Sequence, residues 1–548
     1  MLGRAKIEGR PRSTTLPDRS GITAPMAESV RQFVADLQMF RDWESAEQRQ
    51  AALQQADAWR HASDAEIAEL LIVLERLAVE PVATRQIDSP LLDAALGAVA
   101  QRSGATAGER RAPQLDAGTV LRIERLYRQL GTASKSRKHL LAWLARDGGR
   151  VSLAALADLL VSDPPGEPAE IDLACAPLFQ LGRLEASALF PRLLDALAHP
   201  VLAAIVLDLA NYLTRRGDLS RHPTSDRADK LCALLDGFCQ QLQQIEQGEV
   251  ATETSSRAPQ RVVGEAVGVL VSLCDALAMI GDPRAVEPLE RVLELGHRRL
   301  RAEAAAALAR LGGARGVETL RELAADPASR SRALAYLEEI GDIESVPATF
   351  RNERARAEAA MADWLGEPQH FGMPPHRLSV LEQRKQHWPG YERPVDCFLV
   401  QFEYSLVEGP FVGVGLVGPL THCVSADVLD LGPDDIFGLY AGWSTEHPEL
   451  ALREGDALSV EDRAAAAPLA ARYREQGFDD VALASCGDFF DEGRVFVFGA
   501  RRESQQGSLV VHHGEARWIP AGNVQRPIGA QEAWWIHIGR RLLETFNS

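Results

Sequence analysis

The chain has 548 residues, and this length favours two to four domains over one hydrophobic core. Apolar residues make up 46% and charged residues 25%, as in ordinary globular proteins. The formal net charge of −18 argues against general electrostatic binding to nucleic acid or to anionic membranes. We also expect no membrane span, because no uninterrupted apolar run approaches the required length of about 18 residues.

The cysteines indicate a reducing compartment. Their number is odd, and none belongs to a CxxC pair, so neither a disulfide framework nor a zinc site is predicted. We therefore expect a cytoplasmic protein with no cofactor and no metal. The seven positions are Cys175, Cys232, Cys239, Cys274, Cys397, Cys423 and Cys486.

The first 25 residues are locally basic and contain no apolar segment of the kind found in secretory signals. They are predicted to be a disordered tail. A second hypothesis is that the natural chain starts at Met26, where a helical pattern begins at once.

Residues 26–246 carry helical periodicity with weak self-similarity, as in the apolar spacing of 67–77. Residues 101–116 lack this periodicity and are predicted to form an exposed connection. The polar residues 247–260 are predicted to form a mobile loop between this degenerate part and a more regular one.

Three copies of one motif follow in residues 261–350. LAMIGD at 277–282 aligns with LARLGG at 308–313, an offset of 31 residues, and then with LEEIGD at 337–342, a further 29 residues. A valine recurs after each glycine, at Val286, Val317 and Val346. Self-similarity at this period is typical of repeat proteins.

One copy of the motif predicts a pair of helices joined by a tight turn. Apolar residues in 262–280 follow the spacing of a helix face, and Gly281 suits the left-handed position that ends a helix. Asp282 is then the expected N-cap of the next helix, with Pro283 at its first position. Neither helix can bury its apolar stripe alone, so the copies must stack.

This pattern resembles the HEAT-repeat superfamily, and in particular the short HEAT-like repeats of phycobilisome-lyase-type proteins and many bacterial adaptors. The resemblance is clear over 262–350 and looser upstream. It implies that residues 26–365 form an armadillo-like, right-handed α-solenoid. It also implies protein–protein binding on a concave surface, or a role in handling a bilin cofactor.

The pattern changes after residue 365. The Pro- and aromatic-rich segment 366–394 is predicted to be a linker, and 395–548 a smaller α+β domain with a mostly antiparallel sheet. Alternation places Phe398, Val400 and Phe402 on one strand face. Helices are expected at 434–443, 460–476 and 530–546, and further strands at 411–417, 481–485, 494–498, 508–512 and 516–519.

Two clusters in this domain contain residue types that could form a chemical site. His422 and Cys423, with Asp427, Asp430, Asp434 and Asp435 nearby, suggest a nucleophile and its base, but neighbouring strand residues point to opposite faces. Capping by Asp434 and Asp435 and core packing are favoured instead. His512 and His513 lie at a tight turn without a third ligand at motif spacing, so a polar turn is favoured over a metal site.

Partner binding has two sets of candidate residues. The tryptophans Trp443, Trp534 and Trp535 include adjacent residues that cannot both face one core, since neighbours on a helix diverge by about 100°. The arginines form a local basic cluster, for which a solvated face with acids nearby is the simpler interpretation. They are Arg298, Arg299, Arg301, Arg310 and Arg315.

These observations favour a non-enzymatic scaffold or adaptor with protein partners, in which the C-terminal domain caps the open end of the solenoid and adds a second recognition module. Two alternatives stay open. One is a bilin-lyase-like protein, as the resemblance implies. The other is an enzyme whose C-terminal domain is delivered to clients by the solenoid.

Overall fold

The computed structural model describes residues 27–43, 45–79, 88–101, 115–132, 134–247, 258–406, 409–423, 428–429, 431–445, 447–521 and 528–547. The predicted basic tail and the proposed start at Met26 lie outside these residues. So do most of the predicted connection at 101–116, most of the predicted loop at 247–260, and Asp427 and Asp430.

The described chain divides into two compact units. The first runs to Ala228 and includes the helix that ends at Ile280. The second begins at Asp229 and also includes everything from Gly281 onward. This division reflects contacts between residues, whereas the predicted domain boundaries rest on sequence pattern. The predicted boundaries therefore stay predictions.

The first unit is helical. Its helices are α1 (Glu28–Met39), α2 (Ala46–Ala56), α3 (Asp64–Leu77), α4 (Pro90–Gln101), α5 (Ala117–Leu130), α6 (Arg137–Asp147), α7 (Arg150–Ser162), α8 (Pro168–Cys175), α9 (Arg183–Leu193), α10 (Pro200–Arg215) and α12 (Ala258–Ile280). Short 3-10 turns occur at Asp57–His61, Ala176–Gln180, Leu194–Ala198 and Ser225–Arg227.

Helix α12 corrects the expectation that no segment is long and apolar enough to cross a membrane. The 18 residues Val263–Ile280 pass that test by length and composition, and half of them are buried within the protein. The helix packs against α10, and Asp275 forms an ion pair with Arg215. These contacts are those of a core helix, a kind that also passes the test.

The second unit begins with helices, and those between Gly281 and residue 350 carry the sequence repeats. The helices are α11 (Ala228–Glu246), α13 (Val286–Val292), α14 (Arg298–Arg310), α15 (Ala314–Leu323), α16 (Pro327–Glu339), α17 (Ala348–Arg351) and α18 (Glu353–Gly366), with 3-10 turns at Pro283–Ala285 and Ile343–Ser345.

The turn chemistry predicted for the repeats is present. Gly281, Gly312 and Gly341 have φ angles of 74°, 83° and 77°, the left-handed conformation in which a Cβ atom would be strained. The side chain of Asp282 accepts a hydrogen bond of 2.9 Å from the backbone N–H of Arg284. Each glycine therefore ends one helix of a pair.

A buried arginine joins successive repeat helices. Arg330 in α16 is 3% exposed and donates to the carbonyl oxygens of Ala324 and Ala325 at 2.9 and 3.0 Å. It also donates to the carbonyl of Ala355 in α18 at 2.7 Å and to Glu358 at 3.0 Å. Arginine can make all these bonds because its five N–H donors are held in one plane.

The remainder of the second unit contains two antiparallel sheets, and this confirms the predicted fold class except that one sheet was expected. The first sheet has the order β1 (Arg377–Gln386), β2 (Val395–Leu406), β3 (Gly409–Val417), β4 (Thr421–Cys423). The second has the order β5 (Leu452–Glu454), β6 (Asp479–Asp488), β7 (Arg494–Arg502), β8 (Gln505–His512), β9 (Glu515–Pro520). The helices are α19 (Pro433–Trp443), α20 (Val460–Glu475) and α21 (Ala530–Asn547), with 3-10 turns at Pro448–Leu450, Gly455–Ala457 and Phe490–Glu492.

The central part of the segment predicted as a linker, 366–394, contains β1, which pairs with β2. Leu378 and Val380 pack into the core beneath this strand, while charged side chains occupy four of the other eight positions. Charged residues of this kind protect an edge strand from further pairing, but they also hide it from a hydrophobic pattern.

Alternation along the strands builds the layers of this region. Phe398, Val400 and Phe402 pack against α18, as the sequence predicted for that face, whereas Cys397 and Leu399 face α19 and α21. In the second sheet, Val495 and Val497 face α19 and α21, and Phe496 and Phe498 face α20. Both sheets are thus covered on two faces, which explains their long apolar runs.

Helices α19 and α21 cross at glycines. A Cβ atom on Gly539 would lie 1.5 Å from the carbonyl oxygen of Gly438, and one on Gly442 would lie 2.1 Å from that of Trp535. Any larger side chain would therefore separate the two helices at the centre of the domain.

Candidate functional site

The five arginines of the predicted basic cluster lie on two helices, and three of them are paired with acids. The ion pairs join Arg298 to Asp326, Arg310 to Glu339 and Arg315 to Glu294. Arg299 is exposed, and the Nε atom of Arg301 is buried without a hydrogen-bond partner among the described residues. The surface therefore carries alternating charges, not a continuous positive patch.

A polar surface runs across α14, α16 and α18. Glu303 in α14 is 8% exposed and accepts hydrogen bonds from Arg332 at 2.6 Å and from the Tyr336 hydroxyl at 2.5 Å, both in α16. Asp363 in α18 interacts with Ser331 and Arg332 of α16. We call Glu303, Arg332, Tyr336 and Asp363 the repeat face.

A group of aromatic rings lies at the C-terminal end of α18. Trp364 stacks on His370 with ring centroids 3.5 Å apart and meets His422 edge to face at 5.9 Å. His422 also contacts Trp443 at 4.5 Å, and Trp443 is 47% exposed. We call Trp364, His370, His422 and Trp443 the aromatic cluster.

The environment of Cys423 is unsuitable for nucleophilic catalysis. Burial raises the pKa of its thiol to about 11, whereas an activated cysteine needs a lowered pKa. Burial, together with the neighbouring His370, lowers the pKa of His422. Asp434 and Asp435 lie in the first turn of α19, but the predicted capping by one of them is wrong, because Gly432 is the N-cap residue and no side chain among the described residues caps the helix. Asp434 forms an ion pair with Arg384, and Asp435 forms one with Arg517.

The two adjacent tryptophans differ in burial, as their divergence on a helix requires. Trp534 is fully buried, and a Cβ atom on Gly487 would lie 2.2 Å from its ring. Trp535 is half-buried against the same core. Trp534 is therefore a core residue, and Trp443 is the exposed member of the three.

The structure brings His512 and His513 together with a residue that the sequence interpretation missed. Their rings are 4.0 Å apart, and ligand atoms of Glu492, His512 and His513 all lie within 4.8 Å of one another. His512 is 6% exposed, so the predicted polar turn is correct for His513 and wrong for His512. Glu492 and His513 are exposed.

A cavity of about 240 Å³ adjoins this group. Its walls include His537, whose ring is 5.2 Å from that of His512, and Arg517, Arg540 and Arg541. Burial, reinforced by His512 and two of the arginines, lowers the pKa of His537 to about 3. Both imidazoles are consequently neutral at neutral pH and have lone pairs available.

The order of the strands could have predicted that Glu492 lies near His512. In an antiparallel meander, alternate hairpin turns lie at the same end of the sheet. The turn between β6 and β7 therefore lies beside the turn between β8 and β9, although Glu492 and His512 are 20 residues apart. The short β6–β7 connection, with Gly493 at a φ of 108°, was the available signal.

Comparison with known families identifies part of the chain. Residues 267–348 match the family model for HEAT repeats, in agreement with the three copies of the motif and their left-handed glycines. No curated protein matches the sequence. The finer resemblance to repeats of the phycobilisome-lyase type gains no support from these comparisons.

Proposed function

From the premise that residues 267–348 are HEAT repeats, we propose that the protein is a non-enzymatic adaptor that binds other proteins. The match itself carries the proposal, because HEAT repeats commonly serve as protein-interaction scaffolds. Stacked helices supply an extended surface while each helix contributes only a few exposed side chains. The seven free cysteines fit action in the cytoplasm.

The repeat face is the proposed primary surface. Its charges already have partners within the chain, so its side chains are held in place before a protein binds, and less conformational entropy is lost on binding. Arg299, which is exposed on α14 four residues before Glu303, adds a positive charge beside this surface. A partner with an acidic side chain would complement it.

The C-terminal domain is proposed to cap the repeats. Ala357, Met361 and Leu365 of α18 are buried in one cluster with Phe398, Val400 and Phe402 of β2. Without this sheet, the last repeat helix would expose an apolar face, as the ends of repeat arrays do unless a capping element covers them.

The aromatic cluster is the proposed second recognition module. Trp443 exposes 47% of its surface while one edge contacts His422, so it is both accessible and restrained. Tryptophan and arginine are the residue types most enriched at binding hot spots, where truncation to alanine costs 2 kcal/mol or more (about a 30-fold loss of affinity).

The test is affinity purification of the full chain from its native cells, followed by mass spectrometry and direct affinity measurement with each purified partner. Two variants probe the proposed surfaces, Arg332→Ala and Trp443→Ala. We expect each to reduce affinity for the same partner by about tenfold or more.

Matched controls keep the comparison specific. Arg321→Ala removes an arginine that is 41% exposed and paired, like Arg332 at 44%, but lies on α15. Phe546→Ala removes an aromatic side chain that is 43% exposed at the end of α21. Both controls should keep the affinity. Loss in the controls together with retention in the variants would reject the proposed surfaces.

A further inference from the structure

Two turns of the second sheet meet at one end. The β6–β7 turn supplies Glu492, and the β8–β9 turn supplies His512 and His513. His512 and Glu515 pair across the latter turn, leaving His513 and Gly514 as its two central residues. Their φ angles of 50° and 81° are both positive, as a tight hairpin turn of this twist requires.

The conformation of His513 decides where its ring lies. Neighbouring residues on a strand project to opposite faces, but a residue with positive φ leaves that alternation. The His513 ring accordingly lies 4.0 Å from the His512 ring. Glycine or asparagine would occupy this position with less strain, so a histidine here suggests a use for its side chain.

His512 is a buried polar residue whose ring nitrogens are not satisfied by good hydrogen bonds to the described residues. It is 94% buried, and neither Nδ1 nor Nε2 has a hydrogen-bond partner of good geometry among the described residues, although the backbone of Glu492 lies close enough to oppose the lowering of the ring's pKa. An unsatisfied buried polar atom costs roughly 1–3 kcal/mol, and natural proteins contain few of them. A bound ligand at one of these nitrogens would remove that cost.

We propose that Glu492, His512 and His513 bind a divalent transition-metal ion of the zinc class, with a fourth coordination position open to the adjoining cavity. Two imidazoles and one carboxylate form a ligand set that zinc prefers, and three protein ligands with one open position are typical of reactive zinc sites. Nothing in the proposed adaptor function requires this ion.

Small movements suffice to close the site. In a tetrahedral site with bonds of about 2.0–2.2 Å, ligand atoms lie roughly 3.4 Å apart, whereas the three side chains here are within 4.8 Å. Glu492 and His513 are both exposed and can rotate toward the buried, fixed ring of His512. The third ligand comes from a separate turn, so the ion would tie two hairpins together.

Carboxylates offset the arginines around the group, while the Nε atoms of Arg540 and Arg541 have no hydrogen-bond partner among the described residues. Arg517 and Arg540 are both held by the carboxylate of Asp435, and Arg541 pairs with Glu492. Glu515 and Glu544 also line the cavity and offset the positive charge. Arg541 must release Glu492 when the ion binds, and this exchange lowers the affinity of the site.

His537 lies beside the proposed metal site, in the wall of the adjoining cavity. Its Nε2 atom is buried without a partner among the described residues, and its ring centroid is 5.2 Å from that of His512. It can accept a hydrogen bond from a water at the open coordination position. Such outer residues typically change metal affinity by about 10–100-fold.

The experiment uses the full chain after treatment with EDTA. Zn²⁺ is titrated by calorimetry, and Co²⁺ is added separately to record its visible spectrum. We expect one saturable site per chain and the strong visible bands of tetrahedral Co²⁺, without the near-ultraviolet band of a thiolate ligand. His512→Ala, Glu492→Gln and His513→Gly should each weaken binding by about tenfold or more.

The variants also separate ligation from folding. Because glycine suits the positive φ at position 513, His513→Gly should keep or raise the melting temperature of the metal-free protein while losing the metal. His376→Ala is the control: this histidine is half-exposed beside Glu403, at 3.7 Å, outside the site, and its loss should leave binding unchanged.

Three results would overturn the proposal. The first is the absence of saturable binding by the full chain. The second is a thiolate band, or equal losses in the site variants and His376→Ala, either of which would assign the metal to other residues. The third is stabilisation by inorganic phosphate with no response to Zn²⁺, which would assign the cavity to anion binding by the arginines.

Discussion

Two buried histidines, one in each unit, occupy environments that differ in one respect. His222 in the first unit is 3% exposed, and His512 in the second is 6% exposed. The Nε2 atom of His222 is 2.9 Å from the Asn211 side-chain oxygen, and its Nδ1 atom accepts from the backbone N–H of Thr224 at 3.3 Å. Within the described part of the chain, neither nitrogen of His512 has a partner of this geometry.

Burial lowers the pKa of both imidazoles, so low pKa and burial alone do not separate the two roles. The hydrogen-bond partners of the two rings distinguish the two roles. His222 belongs to a network that continues from Asn211 to the carbonyl of Ser272 at 3.1 Å, and every polar atom in it is used. A saturated histidine stabilises the fold, whereas an unsaturated one retains the capacity to bind a ligand.

Removal of His222 should have the largest effect. In His222→Ala, the Asn211 oxygen and the Thr224 N–H lose their partner, and a cavity remains. Together these should cost about 2–4 kcal/mol of unfolding free energy. Hydrogen exchange over residues 200–228, measured by mass spectrometry at pH 7.5, reports this local stability.

The control is His447→Ala, which removes a half-exposed histidine and should change stability by less than about 0.5 kcal/mol. A cost below 1 kcal/mol for His222→Ala would mean that the network contributes little, and the comparison with His512 would lose its basis.

The pH dependence of the first unit should be the next largest effect. Burial lowers the pKa of His222 to about 4 in the folded protein, against about 6.5 when unfolded. Below pH 6.5 the unfolded chain binds the extra proton, so stability is complete above 6.5 and falls as the pH falls toward 4. The slope is about 1.4 kcal/mol per pH unit.

Hydrogen exchange, corrected for the intrinsic pH dependence of amide exchange, measures this slope between pH 7.5 and 5. His222→Gln, which does not titrate, should remove that contribution and retain part of the hydrogen bonding. An unchanged slope in this variant would show that another group titrates in this range.

Local pattern explains which parts of the fold could be predicted from the sequence. The repeat helices follow from apolar spacing around Leu277 and Leu308 and from the glycines between helices, all within about 30 residues. The strand faces of Phe398 and Val495 follow from alternation. The division into two sheets and the strand β1 depend on pairing between segments, which no single segment encodes.

The candidate metal site was even harder to predict, because it also depends on contacts between distant segments. His512 and His513 are visible in the sequence, but alternation would separate their rings, and only the positive φ of His513 reverses this. Glu492 has no local feature that distinguishes it from other exposed acids. Its role depends on the meander that places two turns side by side, a property of the assembled sheet.

The smallest effect is also the most direct test of the comparison. In the metal-free protein, His512→Phe replaces two unsatisfied ring nitrogens with apolar atoms beside Phe489, whose ring centroid is 5.9 Å from that of His512. Replacement of an unsatisfied polar group by an apolar one of similar shape is close to neutral or stabilising. We therefore expect a change between 0 and about +1 kcal/mol, read as a melting temperature in EDTA that is unchanged or slightly raised. The matched substitution His222→Phe should lower stability by 2 kcal/mol or more, since it strands the partners of a saturated ring. A loss above 1 kcal/mol for His512→Phe would show that His512 has a structural role, and the two histidines would then be alike.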